Sequence, residues 1–277
     1  MPVTLAENSY GKQAVRLVTV RRGADRHELK DVTVAVRFEG DFAAAYTEGD
    51  NEGVFPTDTM KNTVYALAAG HPFDDIEDFG LALTDHFLQA SPRTSTVRVD
   101  LTEQPWEPIA SHPHAFQKAG GERRMAVVTR DREGAKVLAG LENLVVMKTA
   151  KSAFEGFPRD RYTTLKETGD RLLATAVQAT WRYSRPYVAF GSLWSEVRRV
   201  LLEAFAQHDS RSVQHTLYAM GEAVLETLDV EEIHIAMPNL HHLPVDLTPF
   251  GLENRNEIFV ATAEPYGLIE GTLRRAP

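Results

Sequence analysis

"QAVRLVTVRRGADRHELKDVTVAVRFEG", residues 13–40, decides how the rest of the chain is read. Two runs rich in Val, Leu and Thr, residues 13–22 and 27–40, flank a polar turn holding Gly23, Ala24 and Asp25. Apolar, β-branched residues spaced by two on either side of such a turn predict an antiparallel hairpin. Two helical stretches follow it. "TDTMKNTVYALAAG" (57–70) starts at Thr57 or Asp58, either placed to cap it, and ends at Gly70. "DDIEDFGLALTDHFLQASP" (74–92) carries Ile76, Phe79, Leu83 and Phe87 at the spacing of one buried helix face, and Ser91-Pro92 stops it. Residues 94–109 and 114–134 are β-rich again.

The second half repeats that order. Residues 135–152 and 170–184 read as strands around a polar loop (153–169). Residues 193–210 and 212–230 read as helices, and 231–247 with 256–275 close as strands. Each half therefore runs strand, strand, helix, helix, strand, strand, with little identity of letters between halves. The expected fold is α+β, two tandem domains (1–134 and 135–277) of antiparallel strands backed by helices. An open sheet leaves two unpaired edges, which joining the sheets of several copies into a closed barrel would remove. Oligomerisation is thus expected from topology.

Composition narrows function by exclusion. The 277 residues are 43% hydrophobic and 25% charged, within the soluble globular range. No run reaches the roughly 18 apolar residues that span a bilayer, so no membrane partner is expected. The start lacks a basic segment leading into an apolar one. The net charge of −9 argues against nucleic acid but not against a small anion held by a few local Arg or Lys. With no Cys, thiolate nucleophiles, disulfides, iron–sulfur clusters and Cys-ligated zinc are excluded. A cytoplasmic protein is the simplest expectation. The final Arg275-Ala276-Pro277 is not a peroxisomal Ser-Lys-Leu address.

Four stretches could carry chemistry. In "MPNLHHLPVDL" (237–247), His241 and His242 are adjacent, so a strand points them to opposite faces and no shared metal is expected. Asn239 and His241, two apart, share a face: an amide and an imidazole that could hold a small polar molecule and move its proton, or a strand-end His bonded to a carbonyl. In "FPTDTMKN" (55–62), Thr57 and Asp58 sit at a helix start, which suits capping or an anionic ligand. In "SVQHTLY" (212–218), Ser212 caps while Val213 and Gln214 present backbone N–H groups and an amide. The loop 152–171 sets Phe154 and Phe157 among charges and ends at Arg171, a ring beside a guanidinium that could take a flat anion; Phe154 as ordinary core is the alternative.

Taken together, "YGKQAVRL", "PTDTMKNTVY", "SAFEGFPRDRYTTLKETGDR", "ATWRY", "SVQHTLYAMGEAVL", "MPNLHHLPVDLTPFGLENRNEIF" and "EPYGLIEGTLRR" resemble urate oxidase (uricase) from end to end. The resemblance implies two tandem tunnelling-fold domains in a homotetrameric barrel, with active sites at subunit interfaces. It implies that urate, O₂ and water give 5-hydroxyisourate and hydrogen peroxide with no metal or organic cofactor. By the same resemblance Phe154 stacks on the purine, and Arg171 and Gln214 grip opposite edges. The Val213 N–H adds a bond on the Gln214 side. Thr57, by its hydroxyl, and Asp58, by its N–H, come from a neighbouring subunit. Lys12, Thr57 and His241 form a proton relay, Asn239 helps hold O₂ and then water, and His242 faces elsewhere. Glu155 stands where some relatives carry an aromatic. Two rivals fare worse: zinc-dependent cyclohydrolases of related fold need Cys ligands, and a mere purine-binding relative would have lost Lys12, Thr57 and His241.

Overall fold

The computed structural model describes residues 3–276. The strands are β1 (Tyr10–Arg22), β2 (His27–Gly40), β3 (Thr94–Gln104), β4 (Trp106–Pro108), β5 (Phe116–Lys118), β6 (Arg123–Arg130), β7 (Ala135–Lys148), β8 (Leu173–Tyr183), β9 (Val230–Pro244) and β10 (Phe259–Arg274). The helices are α1 (Ala43–Thr47), α2 (Thr57–Gly70), α3 (Ile76–Ala90), α4 (Phe190–Gln207) and α5 (Val213–Thr227). Contacts divide the chain into two compact units. One holds residues up to Gly140 together with Arg182–Ser192; the other holds Leu141–Trp181 and Leu193 onward.

In the first unit the hairpin forms as its sequence requires: β1 pairs β2 antiparallel, from Arg22 opposite His27 outward. The sheet continues in the order β1-β2-β3-β6, and β1 has no partner among the described residues except β2. Alternation on β2 is strict, with Val32, Val34, Val36 and Phe38 all fully buried. They meet α2 and α3 through Met60, Val64, Phe79 and Phe87. Ile76, Phe79, Leu83 and Phe87 are each at most 1% exposed, so the three-to-four spacing of α3 is its packing face. The short helix α1 has no counterpart in the sequence reading, and the β-rich runs 94–109 and 114–134 each divide, giving β3 and β6 in the main sheet and a separate small β4–β5 hairpin. The hairpin is docked by Trp106, whose indole N–H donates to buried Asp31 at 3.2 Å. Asp31 is also held by a forked pair from Arg16 at 2.8 and 2.7 Å.

In the second unit β9 and β10 pair antiparallel, with α5 packed against both. The strands follow the order β7-β8-β9-β10, which leaves β10 with β9 as its sole partner among the described residues. Trp181, Leu173, Leu201, Met220, Ile233 and Ile235 are buried in it. No helix among the described residues is long and apolar enough to cross a membrane.

Candidate active site

Lys12 owes its position to an irregularity that the letters do not announce. It pairs with Val36, whereas Val15, three residues on, pairs with Val34, so β1 carries one extra residue between them. Ala14 takes it up at a φ of 56°. Directly paired residues share a face of a sheet. The bulge therefore returns Lys12 to the same face as Val15, although their odd spacing would put them on opposite sides. Gly11 is required just before it, because a Cβ there would lie 1.9 Å from the Val36 carbonyl oxygen.

That face is the one on which α2 begins. The Tyr10 hydroxyl accepts the Phe55 N–H at 2.8 Å, and its ring packs edge-on against Phe38 and Phe42. This fastens the segment leading into Thr57 onto the strand that carries Lys12. The capping expectation for Thr57 and Asp58 fails: Pro56 occupies the N-cap and no side chain caps the helix. Asp58 instead turns back along α2 to Lys61 and, at 3.1 Å, to the Asn62 amide. Lys61 chiefly, with Lys12 contributing, holds the Asp58 carboxyl below its ordinary range. The Thr57 hydroxyl has no partner among the described residues, and its N–H opens the helix, where backbone donors lack intrahelical acceptors.

In the second unit, Phe154 and Thr168 exchange backbone hydrogen bonds of 2.8 and 3.2 Å, pinching the long loop shut. Phe154 is half-buried and stacks on Phe157, centroids 4.9 Å apart and planes 14° apart. The Arg171 guanidinium lies 5.0 Å from the Phe154 ring centre. Its Nε is buried with no acceptor among the described residues, and burial alone lowers its pKa from the ordinary arginine value. A cation kept this way favours an incoming anion.

The loop is stitched to the start of α5 by a bridge between Ser152 and Ser210. Ser212 caps α5 as the sequence indicates, accepting the His215 N–H at 3.1 Å. Val213 and Gln214 follow at the first two helical positions, with the Gln214 side chain exposed and Val213 3% exposed. Beside them the sequence reading missed a histidine pair, His208 Nε2 to His215 Nδ1 at 3.2 Å. Burial first, then His215 and Lys148, push His208 down and favour its neutral form.

β9 runs unbroken through Asn239 and His241, which pair with Gly267 and Thr262; the irregularity lies opposite, on β10. Both side chains are half-buried and bond to nothing else described. His242 Nδ1 lies 2.9 Å from the Leu240 carbonyl. A cavity of about 450 Å³ in the first unit, against Leu17, Val20, Tyr65 and Phe73, holds none of these residues.

The class of protein is thus an antiparallel α+β protein whose second unit presents a ring, a guanidinium and a helix N-terminus, a set suited to a flat anion. Comparison with known proteins narrows this further. A sequence profile of the uricase family matches residues 8–129 and 137–270. A uricase of Arthrobacter globiformis is 47% identical over 274 residues, which cover 99% of this chain and 90% of the relative. A uricase of Dictyostelium discoideum is 37% identical over 99% of this chain and 98% of its own. The crystal structure of uricase from A. globiformis superposes with a TM-score of 0.96 at 46% identity, covering 99% of this chain and 96% of that one. A Bacillus fastidious uricase shares the fold, with a TM-score of 0.82 at 23% identity over 96% and 93% of the two chains. The chain belongs to the uricase family.

Proposed function

We propose that this chain is a urate oxidase, converting urate, O₂ and water into 5-hydroxyisourate and hydrogen peroxide without metal or organic cofactor. The observation that carries the reading is the buried Arg171 Nε, without an acceptor among the described residues, on a guanidinium set 5.0 Å from the centre of the half-buried Phe154 ring. Phe154 stacks on the purine, Arg171 forks onto a carbonyl oxygen and ring nitrogen, and Gln214 with the Val213 N–H takes the opposite edge. The anion is the form these donors favour.

The chemistry then needs a second proton removed, because the dianion is electron-rich enough to reduce O₂. Lys12 accepts it, with the Thr57 hydroxyl and His241 passing the proton onward through ordered water. Asn239 holds O₂, and later water, over the ring. One electron passes from urate to O₂, the radical pair couples at C5, and peroxide leaves as water adds. The protein contributes orientation, deprotonation and shelter from bulk solvent.

In this reading the chain is two tunnelling-fold domains, 1–134 and 135–277, and it assembles into a homotetrameric barrel that covers the open edge strands β1 and β10. Thr57 and Asp58 reach the substrate from a neighbouring subunit. The enzyme is placed in the cytoplasm. The test is loss of urate absorbance with peroxide detection on chelator-treated protein. Oxygen-dependent decay with peroxide supports the reaction and its independence of metal together. Saturable binding without decay would leave a urate-binding protein, and neither decay nor binding would refute the substrate.

A further inference from the structure

We propose that Ser210 and Thr216 are positioning residues of the urate site, holding the Phe154–Arg171 loop in register with the first turn of α5. The inference rests on the urate reading above and deepens it. Thr216 lies one turn into α5 and is fully buried, and Ser210 is 1% exposed. A buried hydroxyl costs stability unless it is bonded, and an isosteric Val would fill the same space. Thr in a helix ordinarily bonds a carbonyl on its own preceding turn. Here its Oγ1 leaves the helix and donates to Ser210 Oγ at 2.7 Å, and Ser210 Oγ donates on to the Ser212 carbonyl at 3.0 Å.

Those two bonds fix Ser210, and Ser210 fixes the loop. Its N–H donates to the Lys151 carbonyl at 3.0 Å, and its carbonyl accepts the Ala153 N–H at 2.7 Å. Between these sits Ser152, whose carbonyl accepts the Arg171 N–H at 2.7 Å and whose N–H donates to Asp170 Oδ1 at 3.2 Å. The backbone carrying the guanidinium is therefore tied to the helix start through Ser152 and Ser210. On the helix side Ser212 leads straight into Val213 and Gln214. The spacing between the two edges of the proposed clamp is set by this run of short bonds, and Thr216 is its anchor inside the helix. A planar ligand gripped from opposite edges is sensitive to that spacing and indifferent to the anchor's own chemistry.

The test compares Thr216→Val with Thr216→Ser in steady-state urate oxidation, anaerobic urate titration and amide hydrogen exchange. Thr216→Val is expected to raise KM and the anaerobic Kd about tenfold with kcat within about twofold, and Thr216→Ser to restore both. The Ala153 and Arg171 amides should exchange faster in Thr216→Val, while those of Ile233 and Ile235 on β9 stay protected. Unchanged KM and Kd in Thr216→Val overturn the proposal. So does a fall in kcat with faster exchange throughout the second unit, which marks a purely structural role. Should Thr216→Val fail to fold, Ser210→Ala removes the same hydroxyl link and leaves every backbone bond, with the same expected split. Wild-type protein that neither binds nor consumes urate refutes the substrate reading, and the exchange comparison then still decides whether the hydroxyl pair holds the loop.

Discussion

Replacing Glu77 with Gln should change how the stability of this protein depends on pH, by an amount the structure sets. Glu77 stands in the first turn of α3 and is fully buried. One carboxyl oxygen lies 2.6 Å from Arg124 Nη2, while the other is buried with no hydrogen-bond partner among the described residues. Arg124 also holds Asp75 at 3.1 Å, and Asp75 accepts the Gly191 N–H at 2.9 Å, where a Cβ on residue 191 would have no room. The short contact with Arg124 favours the ionised form, and burial opposes it. Burial wins over Arg124 and the Glu77 backbone N–H, with Asp75 adding repulsion, and Glu77 is pushed up from 4.5 to about 7. The sign follows. Between pH 4.5 and about 7 the folded chain keeps a proton that the unfolded chain has released, so stability falls as pH rises through this window and is level above it. At about 1.4 kcal/mol per pH unit the loss is about 3 kcal/mol. Gln is neutral, has the same shape and leaves Arg124 its bond to Asp75. Urea unfolding followed by tryptophan fluorescence, at pH 5 and pH 8 and one protein concentration, should show Glu77→Gln gaining on wild type by about 2–3 kcal/mol at the higher pH. A difference between variant and wild type that stays the same at pH 5 and pH 8 would show that Arg124 keeps Glu77 ionised across this window, and would refute the primacy of burial.

Three further outcomes are expected. Lys12→Met should lower urate turnover by on the order of 10² or more, with anaerobic urate binding nearly intact; near-normal turnover would exclude Lys12 from the relay. Arg171→Ala should weaken urate binding first, by roughly 2–5 kcal/mol, as read from the anaerobic Kd. Deleting Ala14 removes the extra residue of β1 and turns Lys12 to the other face. A folded deletion variant, judged by circular dichroism, should lose turnover as Lys12→Met does, whereas Ala14→Gly, which suits the positive φ, should keep it.

Much of the fold was legible because its signals are local. The alternation of Val32, Val34, Val36 and Phe38 and the Ile76–Phe87 stripe each need only their own period, and the Ser212 cap needs only its neighbours. What escaped depends on distant partners. The β-rich runs 94–109 and 114–134 give no sign that β4 and β5 split off as a small hairpin, which is docked by Trp106 on Asp31, 75 residues away, a partner nothing in "QPWEPI" names. Thr57 and Asp58 looked like caps because the letters fit; Pro56 took the cap, and Asp58 found Lys61. At the site, the residues alone placed Asn239 and His241 on one face and left a ring and a guanidinium at the two ends of a loop. The roles came from resemblance. Lys12 carried no physical signal of its own, since its placement depends on a bulge that "YGKQAV" does not reveal. His208 and His215, seven residues apart, meet only because the chain doubles back before α5.

The proposed working residues are divided along the chain: Lys12, Thr57 and Asp58 lie in the first unit, and Phe154, Arg171, Val213, Gln214, Asn239 and His241 in the second. If each site is built from two subunits, as proposed, that division makes one gene behave as two complementation groups. An allele bearing Lys12→Met and another bearing Arg171→Ala, each strongly impaired alone, should partly restore urate oxidation when expressed together, with about one site in four intact for random pairing in a symmetric assembly.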